Sequence, residues 1–246
     1  MRGNLMLIGL MLPLAAACGN SVDIGDRDDG RPGIPAQGTG GTRTYAAADF
    51  TAVELRGADN VDIRVGPGFS VRADGDSALL DHLKVSRDGN TLRVGRTSNW
   101  TWHGDRARIS ITMPRLTDAS IAGSGDVTVD RVQGPAFKVS SAGSGGLTVG
   151  AAQLDQAELS LAGSGRVRIG GTAQRLTVNV AGSGAVDAGE LHAGQADVSV
   201  AGSGSVRAAV DGPAKVSMMG SGNVDLGSKA RCQVNKMGSG SVRCGG

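Results

Sequence analysis

The chain has 246 residues, a net charge of +2 and 41 glycines, but its aromatic side chains are only three Phe, two Trp and one Tyr. That composition excludes a core built on aromatic rings and, with acidic and basic residues nearly balanced, a polybasic face for nucleic acid. Glycine does not recur at every third position, and the 39 % hydrophobic residues alternate regularly, which excludes collagen and wholesale disorder.

Residues 1–17 read as a signal peptide: Arg2, an apolar run from Leu5 to Leu14, then Ala15, Ala16 and Ala17. The run is too short to serve as a bilayer-spanning helix. Cys18 comes directly after it, an arrangement that resembles a bacterial lipoprotein lipobox with Ala15 where Leu is usual. The resemblance implies cleavage before Cys18 and lipid attachment to it, and Gly19 in second place implies transfer to the outer membrane; ordinary cleavage and secretion is the alternative. Residues 18–43 hold Gly, Asp, Pro, Arg and Thr without apolar periodicity, so they are expected to be a flexible tether with a root-mean-square reach of roughly 25 to 30 Å.

Residues 44–118 alternate in short runs, Val61-Ile63-Val65, Leu92-Val94 and Ile109-Ile111-Met113 among them. They are expected to form an irregular β cap or the first coils of a larger stack.

From residue 119 to 246 the sequence repeats. Seven corners stand at Gly123-Ser124-Gly125, Gly143-Ser144-Gly145, Gly163-Ser164-Gly165, Gly182-Ser183-Gly184, Gly202-Ser203-Gly204, Gly220-Ser221-Gly222 and Gly238-Ser239-Gly240, spaced by 20, 20, 19, 20, 18 and 18 residues. A period that short makes each repeat one coil of a solenoid. Four residues before each first glycine stand Ala119, Val139, Leu159, Val178, Val198, Val216 and Val234, and four after it Val127, Leu147, Val167, Val186, Val206, Val224 and Val242. Alternation on both sides of a glycine corner predicts two short strands per repeat. Identical flanking columns favour stacking each strand on its counterpart over pairing it in a hairpin, so the predicted fold is all-β, a single-stranded parallel β-helix with about 18 to 20 residues per coil. Parallel crossovers are right-handed as a rule. The seven serines are expected to form a hydroxyl ladder. The segments between repeats, DRVQGPA, GAAQLDQ, GGTAQR, GELHAGQ, AVDGP and GSKAR, read as loops that absorb the changes in period, and such an edge could carry a binding surface.

Chemistry is sparse. Asp118, Asp126 and Asp130 could supply a carbohydrate-active or Ca²⁺-binding carboxylate cluster, but the column of Asp126 continues as Gly146, Arg166, Ala185, Ser205, Asn223 and Ser241, so no acidic ladder forms. His82, His103 and His192 have no ligand spacing, and no general base recurs beside the corner serines. Trp100 and Trp102 share a face of an extended segment, either as a platform for sugar rings or a partner, or as a lid on the first coil. Met219 and Met237 replace the Ala before earlier corners and should stack on each other, with copper ligation as the alternative. Cys232 and Cys244 are a candidate disulfide in the last coil, provided the coil narrows there, since strands on facing sheets about 10 Å apart exceed disulfide range; two buried thiols are the alternative.

The segment FTAVELRGADNVDIRVGPGFSVRADGD, the subsequent LLDHLKVSRDGNTLRV and the serial GSG coils together resemble the bacterial putative auto-transporter adhesin, head GIN domain family, from about Tyr45 to Val242. The resemblance implies an extracytoplasmic β-helical domain and brings no catalytic residues. The functional expectation is therefore a non-enzymatic, lipid-anchored protein of the cell envelope, at the outer membrane, acting in binding, adhesion or scaffolding. Its expected partners are the membrane through the lipid and a glycan or envelope protein, with no cofactor, metal or nucleic acid and an open oligomeric state. A carbohydrate-active enzyme or a purely structural protein on the same scaffold are the alternatives.

Overall fold

The computed structural model describes residues 32–97 and 104–245. In chain order, β1 (Ala36–Gln37) and β2 (Thr42–Tyr45) form an antiparallel pair, and β3 (Ala52–Gly57) and β4 (Asn60–Val65) flank a sharp corner. Then come β5 (Ser70–Asp74), the one-turn helix α1 (Ser77–Leu80), β6 (Leu83–Asp88), β7 (Thr91–Arg96) and β8 (Arg108–Met113). The repeats continue as β9 (Asp118–Gly123), β10 (Asp126–Gly143), β11 (Gly146–Gly163), β12 (Arg166–Gly182) and β13 (Ala185–Gly202). The last coils are shorter pieces, β14 (Ser205–Val210), β15 (Pro213–Gly220), β16 (Asn223–Asp225), β17 (Arg231–Met237) and β18 (Ser241–Arg243).

From β9 onward every neighbour pairing is parallel and in register corner to corner: Gly123 on Gly143, Gly143 on Gly163, Gly163 on Gly182 and Gly182 on Gly202. The fold is a β-solenoid of about 20 residues per turn. The expected aliphatic ladders are its interior: Leu92, Val53, Ala119, Val139, Leu159, Val178, Val198 and Val216 are stacked and buried, each over the next. Aliphatic neighbours pack closely in such a stack, and burying each Val or Leu contributes about 1.5–3 kcal/mol before ordering costs.

The coil differs from the two-strand expectation. The first four inter-repeat segments are not loops but part of one ladder, in which Arg131, Val132 and Gln133 pair with Ala151, Ala152 and Gln153, whereas AVDGP and GSKAR hold the breaks between β14 and β15 and between β16 and β17, as expected of loops. Adjacent exposed residues at Asp130-Arg131 and Pro135-Ala136 mark two further bends, so each long strand is three short faces, with Val132 on the middle one and Phe137 opening the third, both buried. Changes in period do fall in this part of the coil, as register shifts between Val149 and Ala152, Arg168 and Gly170, and Ala188 and His192.

The N-terminal region supplies one more corner. β3 pairs with β9 and β4 with β10, both parallel, which sets Gly57-Ala58-Asp59 above Gly123-Ser124-Gly125. β7 and β8 then lie on the far sides of β3 and β4, so the later coil sits on top of the earlier one and the chain passes back over it to reach β9. Asp59, 1 % exposed, takes the place of the corner's third glycine. Its carboxylate accepts from Arg96 Nε at 2.9 Å, from Arg96 Nη2, and from the Ala107 N–H at 2.8 Å. A buried charge is tolerable only when paired and hydrogen-bonded in this way.

Part of the stretch read as tether is also built in. Ile34 packs against the core and its N–H donates to the Val85 carbonyl at 2.7 Å, while β2 pairs antiparallel with β5. One apolar side chain and a row of paired backbone groups offset the ordering entropy that the composition alone does not.

Candidate binding face

At each corner the first glycine has positive φ, +120° at Gly182 and +123° at Gly202 for example, a region that side chains other than Gly rarely enter. A Cβ there would meet the preceding coil's glycine carbonyl, 2.5 Å away at Gly182. Coils stack this closely because the corners have no side chains between them. The serine N–H, not its hydroxyl, makes the bond along the stack: Ser144 to Gly123 O at 3.0 Å, Ser164 to Gly143 O at 2.9 Å and Ser203 to Gly182 O at 2.9 Å. The serine side chains are exposed, so the expected hydroxyl ladder is a backbone ladder.

Tight corners fix the columns beside them. On the face leading into the corners, residues three before the first glycine point outward as Ser120, Ser140, Ser160, Asn179 and Ser199, and residues one before it as Ala122, Ala142, Ala162, Ala181 and Ala201. These short side chains leave a groove of about 560 Å³ running along the axis across five coils. No ionisable group lines it. At one end the register continues it to Glu54 and Arg56, where Glu54 binds Arg56 at 2.7 Å and Arg93 at 2.8 Å. At the other end the alanine column becomes Met219 and Met237, which are register partners. With no acid, base or nucleophile–base pair the groove cannot run proton-transfer chemistry. It offers van der Waals contact and hydroxyl or amide hydrogen bonds repeating about every 4.8 Å.

Other surfaces are smaller or polar. A cleft of about 540 Å³ on the middle face is lined by Gln133, Gln153, Thr172 and Gln174, with Gln174 Nε2 donating to Asp155 at 3.1 Å. A third, about 430 Å³, lies between β2, α1 and β6 beside Tyr45. Burial pushes the Tyr45 phenol up, with Arg43 opposing. At β5 the bonds from Arg72 and Thr42 hold the Asp74 carboxyl below its ordinary range.

The sequence-predicted residues are scattered. Cys18, Trp100, Trp102 and His103 lie outside the described residues. Asp126 binds Arg106 at 3.2 Å and accepts from the Gly146 N–H at 3.0 Å; Asp130 accepts from the Val65 N–H at 3.0 Å; Asp118 is on the face leading into the corner, pairing with Ala52 and Lys138. The Asp126 and Asp130 carboxylates are thus separately engaged, and the three do not converge. His82 Nδ1 meets Thr97 at 3.3 Å and His192 lies 3.8 Å from Asp211. Among the described residues no group of three or more His, Cys, Asp or Glu could hold a metal. Cys232 and Cys244 are joined as a disulfide with their Cα atoms 6.2 Å apart, the terminal coil being narrow enough to bring them together. The Ser and Ala columns were the site residues missed; their signal was a uniform outward column, visible once the repeats are aligned.

Fold and groove define a repetitive β-solenoid with an uncharged, elongated face. Residues 49–244 match the family described as putative auto-transporter adhesin, head GIN domain, and the chain belongs to that family. Among solved structures it is similar to a putative adhesin from Bacteroides fragilis, at 20 % identity and a TM-score of 0.76 over 82 % of this chain and 95 % of that one. A putative adhesin from Parabacteroides merdae is similar at 17 % identity and a TM-score of 0.67, over 85 % and 97 %. A putative lipid binding protein from Parabacteroides distasonis is similar at 21 % and 0.64, over 85 % and 98 %. At these identities the likeness is one of fold. None of the curated proteins matches the chain. The family and the first two of these structures are described as adhesins and not as enzymes, which suggests the cell envelope or surface. No helix among the described residues is long and apolar enough to cross a membrane.

Proposed function

We propose that this protein is a non-enzymatic binding module of the cell envelope, anchored through lipid on Cys18, whose ligand lies along the Ser/Asn and Ala columns. The observation that carries the reading is the groove itself: about 560 Å³, free of ionisable groups, and repeating the same small polar and apolar side chains coil after coil. An extended uncharged polymer fits such periodicity, because each of its units can repeat the same contact. A neutral glycan chain supplies hydroxyls for Ser140, Ser160 and Asn179 and apolar ring faces for the alanines. Charged ligands would lose hydration without gaining a partner there.

The test uses the chain from Gly19, which keeps every described strand and core residue. Neutral glycan arrays should give hits, and Ala142→Glu combined with Ala181→Glu should lose them by at least ten-fold at an unchanged thermal midpoint. Hits that survive both substitutions would move the ligand elsewhere. For the anchor, cells fed a labelled fatty acid should label the full chain and not its Cys18→Ser variant.

A further inference from the structure

The exposed large apolar side chains among the described residues are all in the last two coils: Met219 at 62 %, Val234 at 46 % and Met237 at 67 %. Charge gathers at the same end. Residues 205–246 hold six Lys or Arg against two Asp, whereas residues 126–204 hold five against seven acids. In the final stretch from 226 to 246, Lys229, Arg231, Lys236 and Arg243 face no acidic residue of their own coil. Asp211 and Asp225 contact Lys229 and Arg243, each at 3.5 Å, but from the coil behind. This end is also an open edge, since β17 pairs only with β15 and β18 only with β16.

We propose that this end of the solenoid docks on an anionic lipid surface, the cations on headgroup phosphates and Met219, Met237 and Val234 among the acyl-chain boundary. A second copy of the chain fits poorly. Two such ends face to face would oppose cation to cation, and Lys236 stands in the core column where Ile121, Leu161, Val180, Val200 and Met218 stand elsewhere. Its ammonium donates to the Gly240 carbonyl at 2.9 Å, closing the bore to another coil in the way inward-pointing charges protect sheet edges. An acidic polysaccharide would satisfy the cations but offers the methionines no apolar phase. The proposal is tested separately from the glycan reading, because Met219, Met237, Lys229 and Arg231 lie beyond the groove lining, which ends at Ala201, and the variants differ.

The experiment is co-sedimentation of the chain from Gly19 with vesicles of phosphatidylcholine alone or with about 30 % phosphatidylglycerol at low salt. Binding should be at least ten-fold tighter to the anionic vesicles. Lys229→Ala with Arg231→Ala should weaken it by roughly 25-fold, about five-fold per cation, and Met219→Ser with Met237→Ser by about ten-fold, all at unchanged thermal midpoints. Equal binding to neutral vesicles, or none to either, would overturn the proposal. Methionine variants that bind as the parent does, with soluble dextran sulfate competing equally well, would assign the end to a polyanion instead. Self-association lost in the methionine variants would assign it to a second copy.

Discussion

The corner glycines can be tested one atom at a time. Gly182→Ala adds a methyl where φ is +120° and where the new Cβ would stand 2.5 Å from the Gly163 carbonyl oxygen. Holding Ala in that backbone region costs about 1–3 kcal/mol. Relieving the contact moves the carbonyl that accepts from the Ser183 N–H at 2.9 Å, which forfeits about 1 kcal/mol more. The restricted unfolded chain returns about 0.4–1 kcal/mol. The net expectation is a loss of about 1–3.5 kcal/mol. Ser183→Ala, one residue on, removes an exposed hydroxyl that takes no part in the stack and should cost under about 0.5 kcal/mol. Urea unfolding monitored by far-ultraviolet circular dichroism gives the midpoints. Hydrogen exchange then shows whether the damage centres on β11 and β12, whose ends carry Gly163 and Gly182, as nearest-neighbour coupling between coils requires. Equal midpoints for the two variants would refute the claim that close backbone approach at the corners sets the stacking.

Two further perturbations read other parts of the stack. Reducing Cys232–Cys244, which are 12 residues apart, should remove up to about 3 kcal/mol from the terminal coil, seen as faster hydrogen exchange in β17 and β18 with β10 to β12 unchanged; uniform acceleration would mean that the bridge supports the whole solenoid. Asp59→Ala should cost about 3–5 kcal/mol by leaving Arg96 buried without its carboxylate, and adding Arg96→Leu should recover much of that, as a chemical-denaturation double-mutant cycle would register.

The way the chain turns decides which of its faces are legible in the residues. The faces on either side of the Gly-Ser-Gly corners were legible because the core offsets on both sides of the first glycine are even: Val127 and Val129 after it, Val139 and Ser141 before the next. At the Asp130-Arg131 bend two successive side chains point outward, so the parity flips and Val132 falls at the ninth residue after Gly123. A strict period-two count extended from the corner therefore assigns Val132 to the outside and the segment to a loop. At Pro135-Ala136 the parity flips back, and Phe137 returns to an even offset as if no face had intervened. The eighth corner was hidden for another reason. Gly57-Ala58-Asp59 keeps the one glycine whose φ is positive, +126°, but its third position carries a side chain, the Asp59 carboxylate, which accepts from Arg96 Nε and the Ala107 N–H. The groove is hidden for a third reason. Columns that vary attract attention as candidate sites, yet on a solenoid the column that does not vary presents one continuous surface, and Ala122 to Ala201 is that column. A ligand that spans several coils can sum weak identical contacts there, whereas a ligand recognised by the variable middle face would meet Gln133, Gln153, Thr172 and His192 in turn, each demanding a different partner.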